Sequence, residues 1–390
     1  MNFDLLCTTL GIQDKQPLSK NLGLLKNWFE ENISRDQKFM GTETEQWAQY
    51  KAVTESYFEV IEPSIEHDID KPTPLLNGQS ALSVLVETGL DGVLLKVRPS
   101  KDLLNKPNSN GQTSLHQAAM EGWLNTAKVL LSLGANTSAV NKQNQNPLFC
   151  TLIMPMDYSE EYKANKIALF ELLKTEGNQS LSHQDQAGDT VLHQMAKHDF
   201  GQLMSDLLRS KPQLARIRNN AGHYPIHTAV LNEQIENARL LLNVKNTENL
   251  ADSHGRVALH YAARVGNIEM IKLCCTKNSI NVIDKERKTP LMLAAQLGDL
   301  DTVKALIGLG ARVDMEDMHG ASVLHHAVLS NDKHLVQWLL ENIPDIEINA
   351  KDSQNSTPLD MLEQQFPHSS LIELLLEHGA TSGLSKNTLS

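Results

Sequence analysis

The side chains with the most chemistry to offer are 15 histidines and four cysteines. Imidazole can serve as a metal ligand or general base, and a thiolate as a nucleophile. Their spacing supports neither role. His223 and His227 have metal-like spacing, but they flank a turn and a helix start, with no H-E-x-x-H pattern and no nearby cysteine. A nucleophilic Cys150 would need His193 within hydrogen-bond reach and an oxyanion hole, and no motif supplies either. Cys7, Cys150, Cys274 and Cys275 follow neither disulfide nor zinc spacing, so they read as small buried hydrophobes in a reducing compartment. Glycine-rich phosphate loops are absent. Arg209, Lys211, Arg216 and Arg218 form a basic cluster that suits an acidic partner or a phosphate, or else a solvated face. No catalytic residue, metal site or cofactor is expected.

Five of the histidines share one local slot. His116, His193, His227, His260 and His325 each follow by three residues the start of a T-P-L-H-like tetrad. One residue type recurring at one position is doing structural work, not catalysis.

The element that carries the slot is clearest from Thr289 to Asp317. Thr289 can cap a helix through its hydroxyl, and Pro290 suits the first helical position. Leu291, Ala294 and Ala295 make a short helix that lets a neighbour approach closely, and Gly298 ends it. Asp299 can cap a second helix, with Leu300, Val303, Leu306 and Ile307 on one face and Gly310 at its end. No such helical pair can bury its apolar face alone.

The pair recurs. Anchors two positions before the tetrad are Gly78, Gly111, Asn144, Gly188, Gly222, Gly255, Arg287, Gly320 and Asn355, with gaps of 33, 33, 44, 34, 33, 32, 33 and 35. A fixed period over nine units is the signature of a stacked repeat.

With its Thr113-Ser114-Leu115-His116, Thr190-Val191-Leu192-His193, Tyr224-Pro225-Ile226-His227 and Thr289-Pro290-Leu291-Met292, the chain resembles the ankyrin-repeat family. Val257-Ala258-Leu259-His260, Ser322-Val323-Leu324-His325 and the Gly-Ala steps at 134–135, 310–311 and 379–380 strengthen the resemblance. It covers about residues 72–381 and implies an all-α solenoid of about nine helix–turn–helix units. It also implies that each slot histidine bonds the Thr hydroxyl and nearby backbone. Departures occur at Ser83, Phe149 and Asp360, which replace the histidine.

Outside the period lie residues 1–71, an acidic stretch. Residues 1–70 carry 13 acidic and 6 basic side chains, a net −7 of the chain's −12. Trp47, Tyr50, Val53, Tyr57, Phe58 and Ile61 form a helical stripe there. A helical cap on the open first repeat is the expected role, with a cryptic catalytic or regulatory site as the alternative. The 44-residue gap implies an insertion near residues 154–165. Its Tyr158 and Tyr162 are expected as exposed interface anchors. Residues 382–390 are expected to be a flexible polar tail.

The acidic balance argues against a nucleic-acid or membrane-surface binder, and no apolar run is long enough to span a bilayer. The N-terminus lacks a secretory signal's basic region and long apolar core, so a cytoplasmic location is expected. The resemblance implies a monomeric adaptor or scaffold that grips a partner protein on the concave surface. The positions it assigns to that surface include His223, His254, Arg256, Arg264, Glu286, Lys288 and His319, with Gln296 and Leu297 beside them. Asn/Gln-rich composition, worn repeats and the polar tail also resemble effectors that intracellular bacteria deliver into the host cytosol.

Overall fold

The computed structural model describes residues 98–155, 157–176, 180–344 and 346–384, together with Leu82, Val86, Asp91, Leu94 and Leu95. The expected N-terminal cap, residues 1–71, lies outside them. Among the described residues, regular structure is helical and no strand occurs. The chain divides into two compact units, one ending at Gln194 and the other starting at Met195.

In the first unit, α1 (Lys101–Leu104) precedes the pair α2 (Ser114–Glu121) and α3 (Leu124–Ser132). The next pair is α4 (Pro147–Cys150) and α5 (Glu160–Glu176). The inner helices α2 and α4 pack together, and so do the outer helices α3 and α5. Helix α6 (Val191–Lys197) begins at the end of this unit.

The second unit continues with α7 (Gly201–Ser210) and a 3-10 turn, Pro212–Arg216. Five pairs follow: α8 (Pro225–Leu231) with α9 (Ile235–Leu242), α10 (Ala258–Val265) with α11 (Ile268–Cys274), and α12 (Pro290–Leu297) with α13 (Leu300–Gly308). The last two are α14 (Val323–Leu329) with α15 (Lys333–Asn342) and α16 (Pro358–Gln365) with α17 (Leu371–Glu377). Inner helices α8, α10, α12, α14 and α16 stack in that order. Each pair therefore buries its apolar face on the next.

The local chemistry explains the boundaries. The Thr289 hydroxyl accepts from the Met292 amide at 3.3 Å, and Pro290 opens α12. Gly298 ends it in the left-handed region at φ 78°, and the Asp299 carboxylate accepts from the Thr302 amide at 3.0 Å. Small Ala294 and Ala295 are fully buried between neighbouring inner helices.

All eight described anchors have φ between 57° and 82°. A Cβ at Gly255 would stand 2.9 Å from the amide nitrogen of Lys285 in the next tip, so glycine serves both conformation and space there. Tips are joined by backbone bonds: the amides of Lys285, Met318 and Ser353 donate to the carbonyls of His254, Glu286 and His319 at 2.8, 2.9 and 2.7 Å.

The insertion is built as helix. Helix α5 has 17 residues, whereas the outer helices α3 and α9 have nine and eight. Its buried Leu169, Phe170 and Leu173 repeat the spacing of Thr126, Ala127 and Leu130 in α3, so the added turns lie at its start. Tyr162 and Lys166 sit on those turns. At the other end, Ser382 and Gly383 bond Asp360 in the first turn of α16, and residues 385–390 of the expected tail lie outside the described residues. Ser382 Oγ bonds Asp360 Oδ1, and the Gly383 amide donates to Asp360 Oδ2 at 2.7 Å.

Candidate functional site: a basic cleft on the repeat tips

Each tip hairpin is held by one Asp or Asn side chain, and beside the cleft that residue is an aspartate. Asp252 Oδ1 accepts from the amides of His254 and Arg256 at 2.8 and 2.7 Å. One unit on, Asp284 Oδ1 accepts from the amides of Glu286 and Lys288, both at 2.9 Å. Burial works against the Asp252 charge, yet the Tyr261 hydroxyl and those two amides hold its carboxyl below its ordinary value. Arg256 and Lys288 thus leave the backbone from fixed turns.

The slot histidine then ties one turn to the next. His260 Nδ1 accepts from the Val257 amide at 3.2 Å, so Nε2 carries the proton and donates to the Lys288 carbonyl at 3.1 Å. His116, His227 and His325 do the same toward the Gln145, Leu250 and Ser356 carbonyls. Thr113, Thr190 and Ser322 hydroxyls lie 2.9 Å from the Nδ1 of their own slot histidine. Burial lowers the pKa of His116, His260 and His325, as it must for an imidazole held neutral.

Arg256, Arg264 and Lys288, three of the residues expected on the sequence, line one cleft of about 410 Å³ with Leu293, Gln296 and Leu297. Arg256 Nε donates to Asp284 Oδ2 at 3.2 Å, and Lys288 Nζ pairs with Glu286 at 2.9 Å. Arg264, in the last turn of α10, is exposed, and the described residues give it no ion-pair partner. Leu297 is 57% exposed, the highest value among the exposed large apolar side chains described.

Leu293 was not legible as a cleft residue. Tyr261 and His326 occupy the same helix position in neighbouring units, and each bonds its own tip acid, Asp252 and Asp317. Leucine cannot, and Arg256 of the preceding unit reaches Asp284 instead.

Other expected residues fall elsewhere. His254 and His319 are exposed at tips two units apart, and between them Glu286 is half exposed beside Lys288. His223 is half-buried and drawn inward: its Nε2 lies 2.9 Å from the Tyr261 hydroxyl, which donates to Asp252.

Tyr162 corrects the expectation of an exposed anchor. It is 4% exposed, and its hydroxyl donates to the Met120 carbonyl at 2.8 Å. Tyr158 is half-buried. Arg209, Arg216 and Arg218 of the basic cluster have local partners in Asp206, the Lys245 carbonyl and the Tyr224 hydroxyl.

Sequence reasoning missed Lys166 altogether. It is completely buried, and its Nζ donates to the carbonyls of Ala119, Met120 and Cys150 at 2.8, 2.9 and 3.0 Å. Burial pushes its pKa down to about 7, while Cys150 and Glu121 pull it upward. Burial pushes the Cys150 thiol up to about 12 against the pull of Lys166, which leaves it unreactive. Among the described residues, no cluster of three or more His, Cys, Asp or Glu side chains is placed to hold a metal.

The family profile described as "Ankyrin repeats (3 copies)" matches residues 243–317 and 298–386, and that described as "Ankyrin repeat" matches 110–142. The chain carries ankyrin repeats. A curated relative, the nuclear factor NF-kappa-B p105 subunit of Gallus gallus, is 29% identical over 186 residues, covering 45% of this chain and 19% of that protein. The probable 26S proteasome regulatory subunit p28 of Saccharomyces cerevisiae is 29% identical over 163 residues, covering 41% of this chain and 68% of that protein. The solved ankyrin repeat domain of Bcl-3 is 26% identical, with a TM-score of 0.45, covering 51% of this chain and 90% of that one. The matches span under a fifth of the length of the first curated relatives. No helix among the described residues is long and apolar enough to cross a membrane. Stacked repeats of this family present an extended surface of the kind used for protein interaction.

Proposed function

We propose that the ankyrin repeats of the second unit bind a partner protein on their tip-and-inner-helix face, the concave surface of the resemblance, centred on the Arg264 cleft. The observation that carries this is the cleft itself. An exposed leucine and an exposed arginine stand side by side, supported by turns whose geometry is already fixed. Preorganised groups lose little freedom on binding, so more of their contact energy appears as affinity.

Affinity capture with the full chain tests it. Alanine at His254, Arg256, Arg264 and Lys288 together is a poor probe, because removing Arg256 leaves the buried Asp284 carboxylate without its cation. Arg264→Glu with Leu297→Glu alters only exposed side chains. The double variant should lose the proteins retained by the wild-type chain while melting at the same temperature. Retention of the same proteins at equal yield would reject this face.

Delivery into a host cell as an effector rests on composition, the worn repeats and the polar tail. Removing residues 382–390 and measuring translocation tests it, with undiminished delivery counting against a C-terminal signal.

A further inference from the structure

We propose that the Arg264 cleft accepts a short extended segment of the partner carrying one acidic side chain next to one apolar side chain. This rests on reading the face as protein-binding and adds the chemistry of what is bound.

Charge bookkeeping within the cleft gives the first half. Three cations line it, but Asp284 answers Arg256 and Glu286 answers Lys288. Arg264 remains, so the cleft keeps one unanswered positive charge. A single carboxylate neutralises it. A phosphate, at about −1.5 to −2, would overshoot and meet Glu286 and Asp284 as like charges. Arginine is also suited to a carboxylate, because its planar fork can bind both oxygens.

The apolar half comes from Leu293 and Leu297. Leu293 is buried in the cleft wall, and Leu297 projects into solvent beside it. Covering Leu297 removes apolar surface from water only if the incoming group is itself apolar. A cleft of about 410 Å³ admits two neighbouring side chains. Gln296 offers both a donor and an acceptor at the rim, as the backbone of an extended segment requires.

The rest of the molecule sharpens the choice. A chain of net −12 gives an acidic segment little general attraction, so the unpaired Arg264 decides where it is accepted. Placement is therefore a difference between surfaces as well as a local attraction.

Selection of random peptides displayed on phage, run on the full wild-type chain and on its Arg264→Glu variant, tests the inference. Wild-type selections should carry Asp or Glu adjacent to Leu, Ile, Met or Phe. Synthetic copies should bind the variant about ten-fold more weakly, and the variant should select Lys or Arg at the acidic position. That reversal would not follow from a merely structural role for Arg264. Peptides without an acid that are lost with Leu297→Glu but indifferent to Arg264→Glu would overturn the acidic–apolar chemistry and leave the face as a protein-binding surface. Tighter binding of a phosphoserine peptide than of its glutamate counterpart would overturn the single-carboxylate assignment in the same way. Selections that yield no binder, or binders indifferent to both substitutions, would overturn the inference and the function it rests on.

Discussion

Lys166 of the first unit and Asn237 of the second meet the same need by different chemistry. Both lie on outer helices and reach back to the C-terminal carbonyls of inner helices, which have no partner within their own helix. Asn237 does so with a neutral amide, donating to the Met195 and His198 carbonyls at 3.0 and 2.7 Å. Lys166 brings a charge and satisfies three carbonyls from the ends of two inner helices, α2 and α4. The negative ends of two helix dipoles favour an ammonium there. A regular repeat can close its joints with neutral groups. The unit with the short four-residue α4 and the lengthened α5 uses a buried cation instead.

The widest gap between the two joints should appear on deletion. Lys166→Met removes three bonds from a charged donor and strips the Ala119 carbonyl of its partner, while Met120 keeps the Tyr162 hydroxyl and Cys150 the Ile153 amide. It should destabilise the fold by about 3 kcal/mol, since bonds to charged groups are the stronger kind. Denaturant unfolding of the full chain measures this, and a loss below about 1 kcal/mol would mean that water replaces the ammonium. Asn237→Leu should cost less, about 1.5 kcal/mol, because two neutral bonds go and an amide oxygen already lacking a partner goes with them. Equal losses would erase the distinction.

Titration should separate the joints further. The folded pKa of Lys166 lies near 7 against an ordinary 10.5, so between those values the unfolded chain holds more protons. Stability from this group then rises with pH across that window, by up to about 1.4 kcal/mol per unit. The difference between wild type and Lys166→Met should widen from pH 7 to pH 9, and a constant difference would contradict it. The slot histidines His116, His260 and His325 are also lowered, from 6.5, so their contribution is intact above 6.5 and lost as pH falls below it. An His260→Leu variant should show a shallower acid loss than wild type. The smallest effect belongs to Arg287, the only described anchor that is neither glycine nor asparagine, at φ 60°. Arg287→Gly should gain about 0.5 kcal/mol by relieving a left-handed backbone. A loss would show that its side chain makes a compensating contact.

The architecture was legible because its requirements are local. A positive-φ anchor selects Gly or Asn, a helix start selects Thr-Pro, and each recurs at a constant period. The tip positions of Arg256 and Lys288, and the inner-helix position of Arg264, followed from that register. Lys166 was not legible, since a lysine on an amphipathic helix has the same sequence signature whether its end meets water or carbonyls. Tyr162 was misjudged for a related reason: an insertion was assumed to lie on the surface, but its extra turns run back over α2. His223 shares a tip position with Arg256 and Lys288, but only the tyrosine at 261 turns it inward.

The most direct test of the central claim places a photo-crosslinking side chain at Leu297, in the cleft, and separately at Leu309, exposed at the end of outer helix α13. The partner protein should be trapped from position 297 and not from position 309. Trapping from 309 alone would put the partner on the outer helices and contradict the account.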